Sequence, residues 1–310
     1  MRKKVSIFGA GNVGASLAQL LVLSGIADAS LIDVAPGLAQ GKALDLSQAR
    51  PLYPADVKVE GSTDPAIIKG SDLVVITAGI TRKPGMSRDQ LLETNARIVA
   101  QCASAAKKYA PKAIIIVVSN PLDAMTWLAQ KKSGFEKRRV MGMAGILDSA
   151  RFISFLANAL AASVKDIQAL VLGGHGDQMV PLLSSATWQG RPVADLIPRN
   201  QLEKIVERTR NAGAEIVSLM NTSAFYSPAA AAFTMLKAVF SDEKRLFPCS
   251  VALSGQYGVK DLYLGVPVIL GKEGVEKVVE LKLSKAEKEQ FAQSAESVRN
   301  LVAQLRKLKL

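Results

Sequence analysis

A chain of 310 residues is longer than most single hydrophobic cores support, so two units of about 150 residues are the default division. Apolar residues make up 49% and charged residues 21%, which excludes a disordered or fibrous chain, and no apolar run approaches the roughly 20 residues that span a bilayer. The net charge of +12 raises the question of nucleic acid, but the basic residues are scattered and aromatics are only 5%, so we expect a solvated surface with some steering of small anions.

Residues 5–8 read as a short apolar strand, followed at once by Gly9, Ala10, Gly11, Asn12, Val13 and Gly14 and then by a helical pattern over 15–24. The basic start and apolar continuation resemble a secretory leader, yet these glycines break the run for a reason of their own. Strand, G-x-G-x-x-G and helix, in that order, suit a dinucleotide. The first glycine makes a tight turn, the second lets backbone approach a pyrophosphate, the third lets helix pack on strand, and the helix N-terminus faces the phosphates. A second strand over 29–32 ends in Asp33, a carboxylate placed to accept hydrogen bonds from the adenosine ribose hydroxyls and to repel a 2′-phosphate. Val34, Ala35 and Pro36 offer that phosphate no cation, so the expected cofactor is NAD rather than NADP.

The alternation continues with a helix over 41–49, a strand over 57–60, a strand over 73–77 ending in Ala78 and Gly79, a helix over 91–108, and a strand over 113–118 closed by Ser119, Asn120 and Pro121. Continuous β-branched runs of this kind suit parallel strands covered on both faces, and in such sheets ligands lie beyond the carboxyl ends. The glycine cluster, Asp33, Ala78 with Gly79, and Asn120 all sit at such ends. Between Gly79 and the helix, residues 80–88 carry Arg82 and Arg88. They form either an ordinary surface loop or a lid that swings guanidinium groups over an anionic substrate.

In the second half, a helix over 147–160 places Asp148 and Arg151 on one face. Two readings stand: a local ion pair, or an orienting carboxylate beside a fork for a substrate carboxylate. A short buried strand over 167–172 leads into Gly173, Gly174, His175, Gly176 and Asp177, which contain the only histidine of the chain. A lone histidine in a glycine turn is ordinarily structural; its company elsewhere in the chain favours proton transfer near neutral pH. Helices follow over 201–219 and 228–240, then strands over 248–253, 262–266 and 268–270 of a separate antiparallel sheet, then an amphipathic helix over 285–308. Cys102 and Cys249 have no CxxC or metal-ligand spacing and are expected to be buried small hydrophobes in a reducing compartment. The fold expected is α/β: a Rossmann doubly wound parallel sheet over 1–144, then an α+β substrate and catalytic unit over 145–310.

Taken together, the glycine fingerprint, Asp33, the loop 81–88, Ser119-Asn120-Pro121, Leu147-Asp148-Ser149-Ala150-Arg151 and the run 173–177 resemble the lactate/malate dehydrogenase family over nearly the whole chain. The resemblance implies that His175 is general acid and base with Asp148 as its orienting partner, that Arg151 grips the substrate carboxylate, and that Arg88 polarises the carbonyl. It implies that Asn120 bonds near the reacting centre, that Asp177 is structural, and that Asn95, Val118 and Ser119 join residues 9–14 and Asp33 around NAD. In this family the first lid position is typically glutamine in lactate enzymes and arginine in malate enzymes; here it is Arg82. A second substrate carboxylate buried beneath a closed lid without a countercharge is very costly, and this agrees. The resemblance therefore implies malate and oxaloacetate as substrate pair, with lactate or another 2-hydroxyacid as the alternative and a basic NAD-binding regulatory or nucleic-acid-binding protein as a distant rival. It further implies a homodimer or homotetramer, for which the apolar helices near Leu17 and Arg151 are candidate interfaces; from the scattered basic residues and the lack of a spanning apolar run we expect a cytoplasmic protein with no nucleic acid or membrane partner.

Overall fold

The computed structural model describes residues 2–53, 56–81 and 87–310, apart from the side chain of Arg88. The first half alternates β1 (Lys4–Phe8), α1 (Asn12–Ser24), β2 (Asp28–Ile32), α2 (Leu38–Ala49), β3 (Val59–Ser62), β4 (Leu73–Ile76), α3 (Arg88–Tyr109), β5 (Ile114–Val117), α4 (Leu122–Ser133) and β6 (Val140–Gly142). These strands are parallel, in the order β3-β2-β1-β4-β5-β6. Every residue of β4 (Leu-Val-Val-Ile) and β5 (Ile-Ile-Ile-Val) is buried, as runs without polar alternation require. Because β1 lies between β2 and β4, the connections leave it in opposite directions, and a crevice opens beyond its carboxyl end.

The second half contains α5 (Gly145–Leu160), five two-residue strands β7 (Ile167–Gln168), β8 (Val171–Leu172), β9 (Val180–Pro181), β10 (Thr187–Trp188) and β11 (Arg191–Pro192), then α6 (Arg199–Met220), α7 (Tyr226–Phe240), β12 (Arg245–Ser254), β13 (Lys260–Gly271), β14 (Gly274–Val278) and α8 (Lys285–Lys307). The antiparallel strands do not form a separate sheet, which corrects the sequence expectation. They extend the parallel one, with β12 closing on β6 at Ser250 and Gly142 to make nine strands. A Cβ at Gly142 would stand 2.5 Å from the Thr126 hydroxyl oxygen and 3.0 Å from the Ser250 Cβ, so this join depends on a residue without a side chain. The strand expected over 167–172 is also divided: β7 pairs with β10, while β8 pairs with β9 and leads to the histidine.

One apolar core spans both halves, and a second lies under α5 and α6 around Phe152, Leu156, Ile167, Val193 and Leu202. Leu17 is fully buried in the first core. Cys102 and Cys249 are free and buried, and burial pushes the Cys102 thiol up to about 12. No helix among the described residues is long and apolar enough to cross a membrane.

Candidate active site

The crevice beyond β1 is lined by glycines with different tasks. Gly9 takes φ +100°, and a Cβ there would lie 2.6 Å from the Thr77 hydroxyl oxygen and 2.8 Å from the Ala78 nitrogen. A Cβ at Gly14 would fall 1.9 Å from the Gly9 carbonyl oxygen, so α1 packs against the loop only because this position is bare. At Gly11, by contrast, nothing lies within 4 Å of the Cβ position. Gly11 is the N-cap of α1, with no side-chain cap and no acidic residue in the first turn. The helix therefore presents uncapped N–H groups and the positive end of its dipole to open space, which fits a pyrophosphate.

Asp33, just beyond β2, accepts hydrogen bonds from the backbone N–H of Ala10 (2.8 Å) and of Ala35 (3.0 Å). It thus braces the glycine loop, and its remaining lone pairs can serve ribose hydroxyls. Thr77 donates to the carbonyls of Phe8 (3.0 Å) and Gly9 (3.1 Å), and the Ser119 hydroxyl donates to the Ala78 carbonyl (2.5 Å), which knits the ends of β1, β4 and β5. Val118 and Ser119 are buried there. Asn95, on α3, is buried and ties two loops: its Oδ1 accepts from Ile80 N–H (2.8 Å), and its Nδ2 donates to the carbonyls of Ile80 (3.2 Å) and Asn120 (2.8 Å). Asn120 is itself exposed and precedes a cis bond to Pro121.

From the opposite side come the histidine and its partners. Gly173 has φ +84°, and Cβ atoms at Gly173 and Gly174 would collide with Ser294 and Val298 of α8, so the loop carrying His175 lies directly on that helix. His175 Nδ1 is 2.8 Å from Asp148 Oδ2, and Arg151 Nη1 is 3.4 Å from Asp148 Oδ1. The ion pair and the orienting role, two alternatives in the sequence, therefore coexist in one carboxylate. The Asp148 side chain is 2% exposed and that of His175 16%, so the aspartate is sealed while the imidazole remains reachable. With the carboxylate accepting at Nδ1, that nitrogen carries the proton and Nε2 is left as the acceptor. Arg151 Nε is buried with no partner among the described residues, so part of its fork is uncommitted.

Burial lowers the affinity of His175 for a proton. The charge and hydrogen bond of Asp148 and the charge of Asp123 outweigh that effect and the opposing charge of Arg151, holding the imidazole above its ordinary value. Asp123, in the first turn of α4, escaped the sequence reading. It accepts from the backbone N–H of His175 (2.8 Å), and Ser294 Oγ accepts from the N–H of Gly174 (2.8 Å). A lone carboxylate inside the apolar run after Pro121 was the available signal for Asp123; Ser294 had none. Asp177 is exposed. Arg82 lies outside the described residues, as does the side chain of Arg88.

A nucleotide cradle at the switch point of a doubly wound sheet, joined through α4 to a carboxylate-held histidine, defines a class: NAD-dependent dehydrogenases. The profile of the lactate/malate dehydrogenase NAD binding domain matches residues 3–142, and that of the lactate/malate dehydrogenase alpha/beta C-terminal domain matches 146–308. The chain belongs to the lactate/malate dehydrogenase family. It is 50% identical over 303 residues to malate dehydrogenase of Heliobacterium modesticaldum, covering 97% of this chain and 98% of that one. Among solved structures, malate dehydrogenase from Cryptosporidium parvum superimposes with a TM-score of 0.96 at 44% identity, covering 99% of this chain and all of the other. Lactate dehydrogenase from Cryptosporidium parvum, in complex with lactic acid and nicotinamide adenine dinucleotide, gives 0.96 at 41% identity over 99% of both chains.

Proposed function

We propose that this chain is an NAD-dependent malate dehydrogenase interconverting (S)-malate and oxaloacetate. The observation that carries the reading is the Asp148–His175 pair with Arg151 beside it, whose guanidinium Nε has no hydrogen-bond partner among the described residues. When bound, NAD supplies the hydride acceptor, nicotinamide C4. His175 Nε2 takes the hydroxyl proton of malate as the hydride leaves C2, and Asp148 stabilises the imidazolium that forms. In the reverse direction the imidazolium returns that proton and, with Arg88, meets the negative charge growing on the carbonyl oxygen, while Asn120 bonds near the reacting centre. Arg151 holds the carboxylate next to the reacting carbon, and Arg82 holds the far one. Gly9, Ala10, Gly11, Asn12, Val13, Gly14 and Asp33 hold the adenosine and pyrophosphate portion of the cofactor. Val118, Ser119 and Asn120 line its nicotinamide side, shaped by Asn95.

Lactate is the second reading, favoured by the superposition on a lactate dehydrogenase. Initial rates of NADH oxidation with oxaloacetate and with pyruvate, at one enzyme concentration, separate the two. A large excess for oxaloacetate is expected. Comparable or faster turnover of pyruvate would make this a lactate-type enzyme with the same fold and proton chemistry.

We place the division between cofactor and substrate units at 144/145, supported by the two family profiles, of which the first ends at 142 and the second begins at 146. We further propose a cytoplasmic homodimer or homotetramer without nucleic acid or membrane partner. Exposed apolar side chains on α2 (Leu44, 60%) and α6 (Leu219, 77%) support self-association.

A further inference from the structure

Two carboxylates reach the loop that carries His175. Asp148 meets the ring. Asp123 lies on the other side, 4% exposed, and is bound at both oxygens: Oδ2 accepts the His175 N–H at 2.8 Å, and Oδ1 accepts the Ser250 hydroxyl from β12 at 2.6 Å. No ion pair to Asp123 occurs among the described residues, although a buried, uncompensated carboxylate is costly. Burial raises its proton affinity, partly offset by the Ser250 hydroxyl and the His175 N–H. The charged groups that act on His175 are Asp148 and Arg151 from α5 and Asp123 from α4, while Ser294 and Val298 of α8 lie against Gly174 and Gly265 of β13 is bonded to Gly173. Among the described residues, the group that offers Asp123 a compensating charge is the imidazolium.

We propose that Asp123 is a positioning residue for the hydride-transfer reaction, fixing the backbone of His175 from α4 and supplying a second negative charge against which the imidazole takes up its proton. This rests on the proton-transfer role given to His175 above. The geometry also joins the two halves of the reaction. Asp123 stands three positions after Asn120, in the helix that begins where the nicotinamide side ends, so the proton acceptor and the hydride acceptor are set from a single element. A buried charge is retained here because it biases the protonation of the residue it holds.

Asp123→Asn is the discriminating substitution. Its carbonyl oxygen still accepts from the His175 N–H, its amide can donate to the Ser250 oxygen, and only the charge is lost. Because the chain contains a single histidine, untagged protein labelled at histidine Cε1 reports that residue alone by NMR. In the full-length protein with NADH, the midpoint of the His175 titration should fall by about 0.5–1 pH unit in the variant. The acid limb of kcat/KM for malate should move down with it, while NADH binding, read by fluorescence, stays unchanged. An unmoved NMR midpoint in a folded variant overturns the proposal, as does a uniform loss of kcat at every pH with weakened NADH binding. If Asp123→Asn does not fold, Ser250→Ala removes one donor that favours the charged carboxylate and should lower the midpoint less; an unmoved midpoint there is equally fatal. The NMR reading needs no substrate, so a wild type that fails to oxidise malate counts against the functional reading and leaves this test intact.

Discussion

Replacing Asp148 by asparagine exchanges one carboxylate oxygen for an amide nitrogen at the point where His175 and Arg151 meet. The side chain is 2% exposed and its Oδ2 lies 2.8 Å from His175 Nδ1, so solvent does not screen the change. A unit charge about 4 Å from the imidazolium, at an effective dielectric of about 20, contributes about 4 kcal/mol. Lost from the transition state in which the imidazolium forms, that amounts to roughly a thousandfold in kcat for malate oxidation. The asparagine amide can also donate to Nδ1, which would place the proton on Nε2 and turn the base into a donor, adding to the loss. Steady-state rates with malate and NAD, alongside fluorescence titration with NADH, test this directly, because Asp148 lies on α5, away in sequence from the glycine loop proposed to hold the nucleotide. We expect kcat to collapse with the NADH dissociation constant within about twofold of wild type. A variant with kcat within about tenfold of wild type would refute the argument that this carboxylate stabilises the imidazolium.

Gly14→Ala places a methyl 1.9 Å from the Gly9 carbonyl oxygen, and backbone must move; a loss of about 1–3 kcal/mol in thermal unfolding and weaker NADH binding should follow. Glu287 joins the N-terminus of α8 to Ser184, with its carboxylate accepting from the Ser184 N–H (3.1 Å) and hydroxyl (2.7 Å) and from the Ser284 N–H (2.8 Å). Glu287→Ala should cost about 2 kcal/mol in a denaturant titration. Burial alone would raise this carboxyl, but the Ser184 and Ser284 hydrogen bonds hold it below its ordinary value. The stability it contributes is therefore present above the ordinary carboxylate range and is lost as pH falls through the native value; unfolding midpoints of wild type and variant should converge in acid. Arg82→Gln should move preference toward pyruvate, measured as the ratio of kcat/KM values, and an unchanged ratio would assign the second carboxylate to another residue.

Local patterns made much of this site legible before any coordinates. The fingerprint at residues 9–14 is recognisable because it is a contiguous backbone requirement: φ +100° at Gly9 and a bare Cβ position at Gly14 permit little besides glycine. His175 stood out by being alone, and Asp148 with Arg151 by helical spacing. Asp123 left only the faint mark of a lone carboxylate in an apolar run, and Ser250 and Ser294 left none, because their hydrogen bonds go to residues 52 to 127 positions away in sequence. The antiparallel strands were visible as strands, but their attachment to β6 depends on an apposition of Gly142 and Ser250 that no periodicity records.

By itself the sequence determined the alternating α/β order, the buried parallel strands and the glycine cradle, and it singled out His175 as the candidate for proton transfer, since these follow from periodicity, glycine geometry and side-chain chemistry within short windows. Tertiary structure alone decided that one nine-stranded sheet runs through both halves and that Asp148 serves His175 and Arg151 together. It also placed a second buried carboxylate beneath the histidine loop. Those outcomes depend on distances between residues far apart along the chain, and only packing sets such distances.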